Sequence, residues 1–395
     1  MAVPVGAGPL DAVIVGGGVI GLSAAWRAAA RGLRVAVVDP EPVSHASRAA
    51  AGMLAPVTEA HYGEEELLAL NLAAARRYPS FVGELEEATG QDTGYRECGT
   101  LAVALDADDR AVLQDLHAFQ TKLGLAAEWL TGRECRRLEP MLAPIVRGGL
   151  LVAGDHQIDN RRLGAALLAA LDRQGVPLHR VRAAELLVRG DRASGVRLAD
   201  GTELAAGQVV LAAGCWSNRL PGVPPEALPP VRPVKGQILR LRVPEAYAPF
   251  LSRTVRGVTK GSHVYLVPRA DGELVVGATA EELGYDTQVT AGGVYELLRD
   301  AHELVPGITE LPLVETTAAL RPGSPDNAPM IGQTVLPGLI VATGHHRNGI
   351  LLTPVTADAV AELLATGEPP EVVRPFTPRR FTSARAGGPG RVVAE

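Results

Sequence analysis

The segment "DAVIVGGGVIGLSAAWRAAARGLRVAVVDP", residues 11–40, constrains the fold more than any other stretch of the chain. Val13, Ile14 and Val15 form a short apolar run typical of a strand buried on both faces. Gly16, Gly18 and Gly21 then fit G-x-G-x-x-G at the opening of a helix rich in small residues. Gly16 allows the tight turn, Gly18 lets a pyrophosphate approach the backbone, and Gly21 lets the helix pack close to the strand. Such a phosphate would sit on the helix N-terminus, where free N–H groups and the dipole favour an anion. Gly32 ends the helix, "RVAVVD" returns as a second strand, and Asp39 stands 18 residues after Gly21, where an acid for a ribose hydroxyl is expected. The glycines alone would carry little weight. With the strand, the helix and the acid around them they predict dinucleotide binding, and the acid disfavours a 2′-phosphate.

The 395 residues suffice for one large or two medium domains with a sizeable core. Hydrophobic content of 47% with 21% charged residues reads as globular. A net charge of −6 without a basic stripe argues against a nucleic-acid partner. Cys98, Cys135 and Cys215 fit neither a disulfide framework nor metal spacing, so a reducing compartment is expected. The opening "MAVPVGAGPL" lacks the basic and long apolar regions of a secretory signal. Asn327 to Gly344 is uncharged but broken by Pro329, Gly332, Pro337 and Gly338, so no membrane span is expected there. The expected location is cytoplasmic.

The glycine motif does not choose between flavin and nicotinamide. "SHASRAAAGMLAP", residues 44–56, is a run of small residues that reads as a loop lying against a flat ring system. "GTELAAGQVVLAAGCWSN", residues 201–218, brings an apolar strand to Gly214, as happens where a cofactor domain is interrupted by another.

These motifs, with "PVKGQ", "VYLVPR", "LVVGAT", "ALRPGSPDNAPMIG" and "GHHRNGILLTP", stand in the order found in the D-amino-acid oxidase family of FAD-dependent oxidoreductases. The chain resembles that family from about Asp11 to Phe381, and within it the glycine oxidases of thiamine thiazole biosynthesis. The resemblance implies an α/β fold in which a Rossmann-like FAD-binding domain is interleaved with an antiparallel-sheet α+β substrate domain. Carried onto this sequence, it places FAD against Gly16, Gly18, Val19, Ile20 and Gly21, then Asp39 and Pro40. Further contacts fall on Ala46, Ser47, Ala51, Gly52, Met53, Ala184 and Gly214. The last group is His345, His346, Arg347, Asn348, Gly349, Ile350 and Leu351. The related sarcosine oxidases attach flavin through a late cysteine; none follows Cys215 here, so FAD is expected to be non-covalent.

Residues 96–105 read as a strand and 106–123 as a surface helix. "HVYLVPRADGELVVGATA", residues 263–280, reads as two alternating strands around an Asp271-Gly272 turn. The expected cofactor domain is therefore discontinuous, over 1–82, 148–221 and 312–381, with the substrate domain over 83–147 and 222–311. Residues 382–395 read as a disordered tail.

Arg321 is the candidate cation for a substrate carboxylate, since a guanidinium fork matches it with two parallel hydrogen bonds; the family's carboxylate-binding arginine stands at the matching place in "LRP". Tyr265 could donate to the same carboxylate, and His263 lies on the same strand face. Ala280 stands where glycine oxidases tend to carry a larger apolar residue, so larger substrates are admissible. Lys235 in "PVKGQ" either lines the flavin or caps a strand end. "GLIVATG" reads as a strand and "NGILLTPVTADAVAELLA" as a helix, placing His345 to Asn348 at a helix N-terminus that stabilises charge on a reduced flavin, with Arg347 adding a full charge or reaching the substrate. Adjacent histidines point apart and no cysteine or carboxylate cluster is near, so no metal site is expected. The implied reaction moves a hydride from the α-carbon of glycine or a small amine to flavin N5, with dioxygen as acceptor, giving an imino acid and hydrogen peroxide for thiamine thiazole synthesis. The alternative is a D-amino-acid or sarcosine-type dehydrogenase passing electrons to another carrier. A homo-oligomer is also expected.

Overall fold

The opening segment folds as its residue pattern predicts in the computed structural model, which describes residues 10–259 and 262–381. Strand β1 (Leu10–Val15) leads through the glycines into helix α1 (Val19–Ala30), and β2 (Val35–Val38) returns parallel to β1. Strand Glu203–Leu211 pairs parallel to β1 on its other side, and Leu339–Thr343 pairs parallel to that. Met330–Gln333 and Leu178–His179 close the two edges, and a hairpin, Ala183–Arg189 and Arg192–Leu198, hangs from Glu203–Leu211. The central strands are apolar on both faces because both faces are covered. One faces α1, Asn160–Arg173 and Thr353–Thr366; the other faces a cluster including Leu186, Val196, Leu220 and Val231. Three parallel strand ends thus bring Gly16, Gly214 and Gly344 to one edge of the sheet, where open α/β sheets bind ligands.

A second sheet of eight strands runs Leu313–Gly323, Arg232–Arg242, Glu273–Gly277, Ser262–Pro268, Thr254–Thr259, Thr100–Ala104, Gly148–Val152 and Glu128–Thr131. Its pairs are antiparallel except Thr254–Thr259 with Thr100–Ala104. Helix Ala291–Leu304 packs its apolar face on this sheet. The hairpin around Asp271-Gly272 forms as expected, as does the surface helix, observed as Ala107–Lys122 and capped by Asp106.

Four expectations need correction. Gly148–Val152 and most of Leu313–Gly323 belong to the second sheet, although residues 148–221 and 312–381 were assigned to the cofactor domain. Edge pairing decides this, and nothing in the local pattern of either strand names its partner. The boundary at residue 82 cuts through helix α3 (Glu65–Thr89), which packs against Asn160–Arg173 and Thr353–Thr366. Residues 44–56 are not a loop: His45–Ala49 forms helix α2, and Met53–Leu54 pairs with His156–Gln157. Alanine-rich sequence favours the helix when its end is held from outside. Finally, His346–Asn348 forms a 3₁₀ turn, and the α-helix begins only at Thr353, with Pro354 in its first turn. His346 at φ 46° breaks the regular helical path there. The expected tail over residues 382–395 lies outside the described residues.

Candidate active site

One cavity of about 1690 Å³ runs from the glycine turn along the C-terminal edge of the first sheet and onto the face of the second. At the near end the sequence builds an anion cradle. A Cβ on Gly21 would lie 1.9 Å from the Gly16 carbonyl oxygen, so α1 can start this close to β1 only with glycine there. Gly18 caps α1 without a side-chain bond, and the first turn carries no acid, so the helix N-terminus is left for an outside anion. The Asp39 carboxylate accepts from Gly17 N at 2.6 Å and Glu41 N at 2.8 Å, which fixes it on the cavity wall with lone pairs to spare for a ribose hydroxyl. Ser47 Oγ accepts from Val19 N at 3.1 Å and so ties α2 to the start of α1. Ile20, Pro40, Ala46 and Ala184 line the same stretch of wall.

Further along, Ala51, Gly52 and Met53 line the cavity and are held from behind. Asn160 Nδ2 donates to the carbonyls of Ser47 and Arg48 at 2.7 and 2.9 Å. Arg269, reaching across from the second sheet, donates to Ala51 O at 2.6 Å, Ile158 O at 2.9 Å and Gln157 Oε1 at 2.9 Å. Burial of this guanidinium lowers its pKa to about 10, so it remains a cation.

The turn after Leu339–Thr343 closes the far side. His345 Nε2 meets Thr356 Oγ1 at 3.0 Å, and burial drops the pKa of both His345 and His346 to about 3. Both imidazoles are neutral at pH 7. Gly349 and Ile350 line the cavity, and their N–H groups donate to no acceptor among the described residues. The Arg347 side chain is exposed at the cavity and forms no ion pair among the described residues. Among those residues no group of His, Cys, Asp or Glu could hold a metal ion.

Three residues expected at the cofactor do not line the cavity. Gly21 serves the packing of α1 on β1. Asn348 is buried, its N–H donating to His345 O at 2.9 Å within the turn, and Leu351 sits in the core cluster of the first sheet.

On the second sheet, Arg321 lies in the cavity above Gly236 of the neighbouring strand; a Cβ there would come within 2.5 Å of the guanidinium. Arg321 Nη1 donates to Thr279 O at 3.0 Å, and the guanidinium acts electrostatically on the Tyr265 phenol. Burial raises the Tyr265 pKa, with Arg321 pulling against it, so the phenol stays protonated as a donor. His263 lines the cavity beside this pair. The sequence reading missed an ion pair here: Arg256 Nη1 donates to Glu59 Oε1 at 2.5 Å, with His61 nearby. The charged run "TEAHYGE" just after "AAAGML" was the available signal. Lys235 does not line the cavity; its ammonium meets Asp286 Oδ2 at 2.6 Å.

A long cavity with an anion cradle at one end, an acid for a ribose beside it, and Gly349, Ile350 and a row of small residues on its walls fits FAD. Such a cofactor cleft opening onto a guanidinium and a phenol defines a flavin-dependent oxidoreductase. The family model described as "FAD dependent oxidoreductase", DAO, matches residues 11–363, and the chain belongs to that family. The chain is 36% identical to glycine oxidase of Geobacillus kaustophilus over 93% of this chain and 96% of that protein. The crystal structure of that organism's glycine oxidase superposes with a TM-score of 0.86 at 35% identity, covering 93% of this chain and 98% of that one. The bifunctional protein ThiO/ThiG of Trichormus variabilis (strain ATCC 29413 / PCC 7937) is 36% identical over 94% of this chain and 55% of its own length. The chain therefore spans about half the length of the first curated relatives it matches. No helix among the described residues is long and apolar enough to cross a membrane.

Proposed function

We propose that the chain oxidises glycine and small amino acids at the Cα–N bond, with non-covalent FAD and dioxygen as acceptor, releasing an imino acid and hydrogen peroxide. The observation that carries this reading is Arg321 in the same cavity as the flavin cradle, with Tyr265 beside it and no bulky side chain at Ala280. Bound FAD supplies the two-electron acceptor. Arg321 grips the substrate carboxylate through two parallel N–H groups, and Tyr265 O–H fixes the tilt of the same group. The substrate amine enters uncharged, its proton left to solvent. Neutral His345 and His346 keep positive charge away from the ring end of the cleft, while Arg347 supplies a cation at its mouth. The apolar wall excludes water and orientation does the rest. Glycine oxidase and ThiO/ThiG are names of relatives, and they support placing the imine product in thiamine thiazole synthesis.

Purified protein should be yellow, release FAD on denaturation, and consume oxygen with glycine, sarcosine or a small D-amino acid. Replacing Arg321 with Ala should leave flavin content intact and lower kcat/KM by at least about a hundredfold, the loss of a charge-assisted bidentate contact. Peroxide yield matched against dye reduction separates this from the dehydrogenase reading. Dye reduction without peroxide would reject oxygen as the acceptor.

A further inference from the structure

The "PVKGQ" motif places Lys235, Gly236 and Gln237 on the strand that runs beside Arg321. Gly236 makes room for the guanidinium, whereas Lys235 and Gln237 face the opposite side of the sheet. The Lys235 side chain is fully buried, an unusual place for an ammonium unless it is paired. Its Nζ meets Asp286 Oδ2 at 2.6 Å and Glu281 Oε2 at 3.6 Å.

The reason for this pairing lies in the neighbouring strand. The ladder with Glu273–Gly277 ends at Ile238 opposite Gly277 and resumes as a single bridge of Lys235 with Glu281. Ala278, Thr279 and Ala280 therefore stand opposite only Gly236 and Gln237, a bulge of one extra residue. The bulge releases the Thr279 carbonyl from the ladder, and that carbonyl accepts from Arg321 Nη1 at 3.0 Å. The same three residues line the cavity.

A bulge persists only where it is held. Thr279 Oγ1 accepts from Gln237 N at 2.9 Å and donates to Glu281 Oε1 at 2.5 Å. Gln237 Nε2 donates to that carboxylate at 2.8 Å, and Gln237 Oε1 accepts from Thr290 N at 2.9 Å. Backbone bonds of 2.8 and 3.0 Å tie Lys235 to Glu281. Every bond ends on the bulge or on the segment that follows it.

We infer that Lys235 is a positioning residue for substrate binding: through Glu281 and Asp286 it locks the bulge at Ala278–Ala280, whose Thr279 carbonyl aims Arg321 at the substrate carboxylate. This rests on the reading of Arg321 as the carboxylate clamp. Lys235 touches neither substrate nor flavin.

The test uses FAD-loaded wild type, Lys235→Met, Lys235→Arg and Asp286→Asn. Flavin content, KM and kcat for glycine, and the Kd of acetate read from the flavin absorption band are compared. In Lys235→Met, KM and the acetate Kd should each rise about tenfold or more, with kcat at saturation and flavin content within about twofold. Lys235→Arg should recover most of the affinity, and Asp286→Asn should show the same split more weakly. Unchanged KM and acetate Kd in Lys235→Met overturn the inference, and so does loss of flavin in step with loss of rate. If Lys235→Met does not fold, Asp286→Asn decides on the same two constants. A wild type that binds neither glycine nor acetate refutes the clamp reading of Arg321 itself, a result visible before any variant is made.

Discussion

Arg321 owes its position to the absence of a side chain at Gly236, and this separates binding from stability at a single residue. A methyl group there would meet the far end of a flexible side chain, not backbone, so the guanidinium can swing away at little cost to the fold. Gly236→Ala should therefore raise KM for the amino acid by about tenfold or more, the cost of a misplaced charged contact, and shift the melting midpoint little. A midpoint that collapses while KM holds would show that the glycine serves packing instead. The buried histidines give a second residue-scale prediction. The folded pKa of His345 and His346 is about 3, below the ordinary 6.5. An unfolded chain therefore takes up protons below pH 6.5 that the folded chain refuses, and their contribution to stability, complete above that pH, is lost as pH falls toward 3. Asp155 works the other way, because burial raises its carboxyl to about 6 and the folded form gains protons first. Two imidazoles, each worth up to about 1.4 kcal/mol per pH unit, outweigh one carboxyl. The melting midpoint should thus be lower at pH 5 than at pH 7, and His345→Asn should flatten the slope. A midpoint that rises on acidification contradicts the assignment.

At the scale of elements, α2 and the strand after it depend on donors from elsewhere. Asn160, Arg161, Arg240 and Arg269 all donate to carbonyls between Ser47 and Ala51. Arg269→Met would leave the carbonyls of Ala51 and Ile158 without this donor, at about 1–3 kcal/mol for each orphaned group. The segment lining the ring site should loosen, and FAD added to apoprotein should bind about tenfold or more weakly by flavin fluorescence. Unaltered affinity would show that the cofactor does not rest on Ala51–Met53. The same elements show where local pattern suffices. Periodicity and turn chemistry made β1, α1, β2 and the Asp271-Gly272 hairpin legible, because each is decided within about thirty residues. The helix at His45–Ala49 was not, since its far end is held by Asn160 and by arginines of the other sheet. Nor was the bulge at Ala278–Ala280, which exists only relative to its partner strand. The substrate-end arginine and tyrosine were named from motif order, whereas the Glu59–Arg256 pair joins residues 197 apart, and the charged run around Glu59 does not name its distant partner.

At the scale of the whole molecule, the two sheets are joined by crossing segments and by a limited set of polar contacts. Arg161 reaches Glu315, Tyr285 O–H donates to Cys215 O at 2.8 Å, and Arg269 meets Ala51 and Ile158. Between these contacts lies the long cavity, with the glycine turn on one wall and Arg321 on the other. A ligand that fills it touches both sheets at once and binds only when both are folded and in register. FAD should then act as a stabiliser by mass action, adding about 2.7 kcal/mol at a hundredfold excess over Kd and raising the melting midpoint with the logarithm of its concentration. Cys215 lines the cavity, yet burial pushes its thiol up to about 12, so it is not a ready thiolate for flavin attachment. The flavin should therefore come away on mild acid or chaotrope treatment and return on dialysis against FAD. Apoprotein prepared in this way should melt earlier than the holoprotein, and titrated FAD should restore the midpoint. ADP, which fills only the glycine-turn end, should restore part of it. A midpoint indifferent to FAD, or ADP acting as strongly as FAD, would mean that the ring end of the cleft holds no isoalloxazine, and the assignment of Arg321 and Tyr265 to a flavin-facing substrate would fall with it.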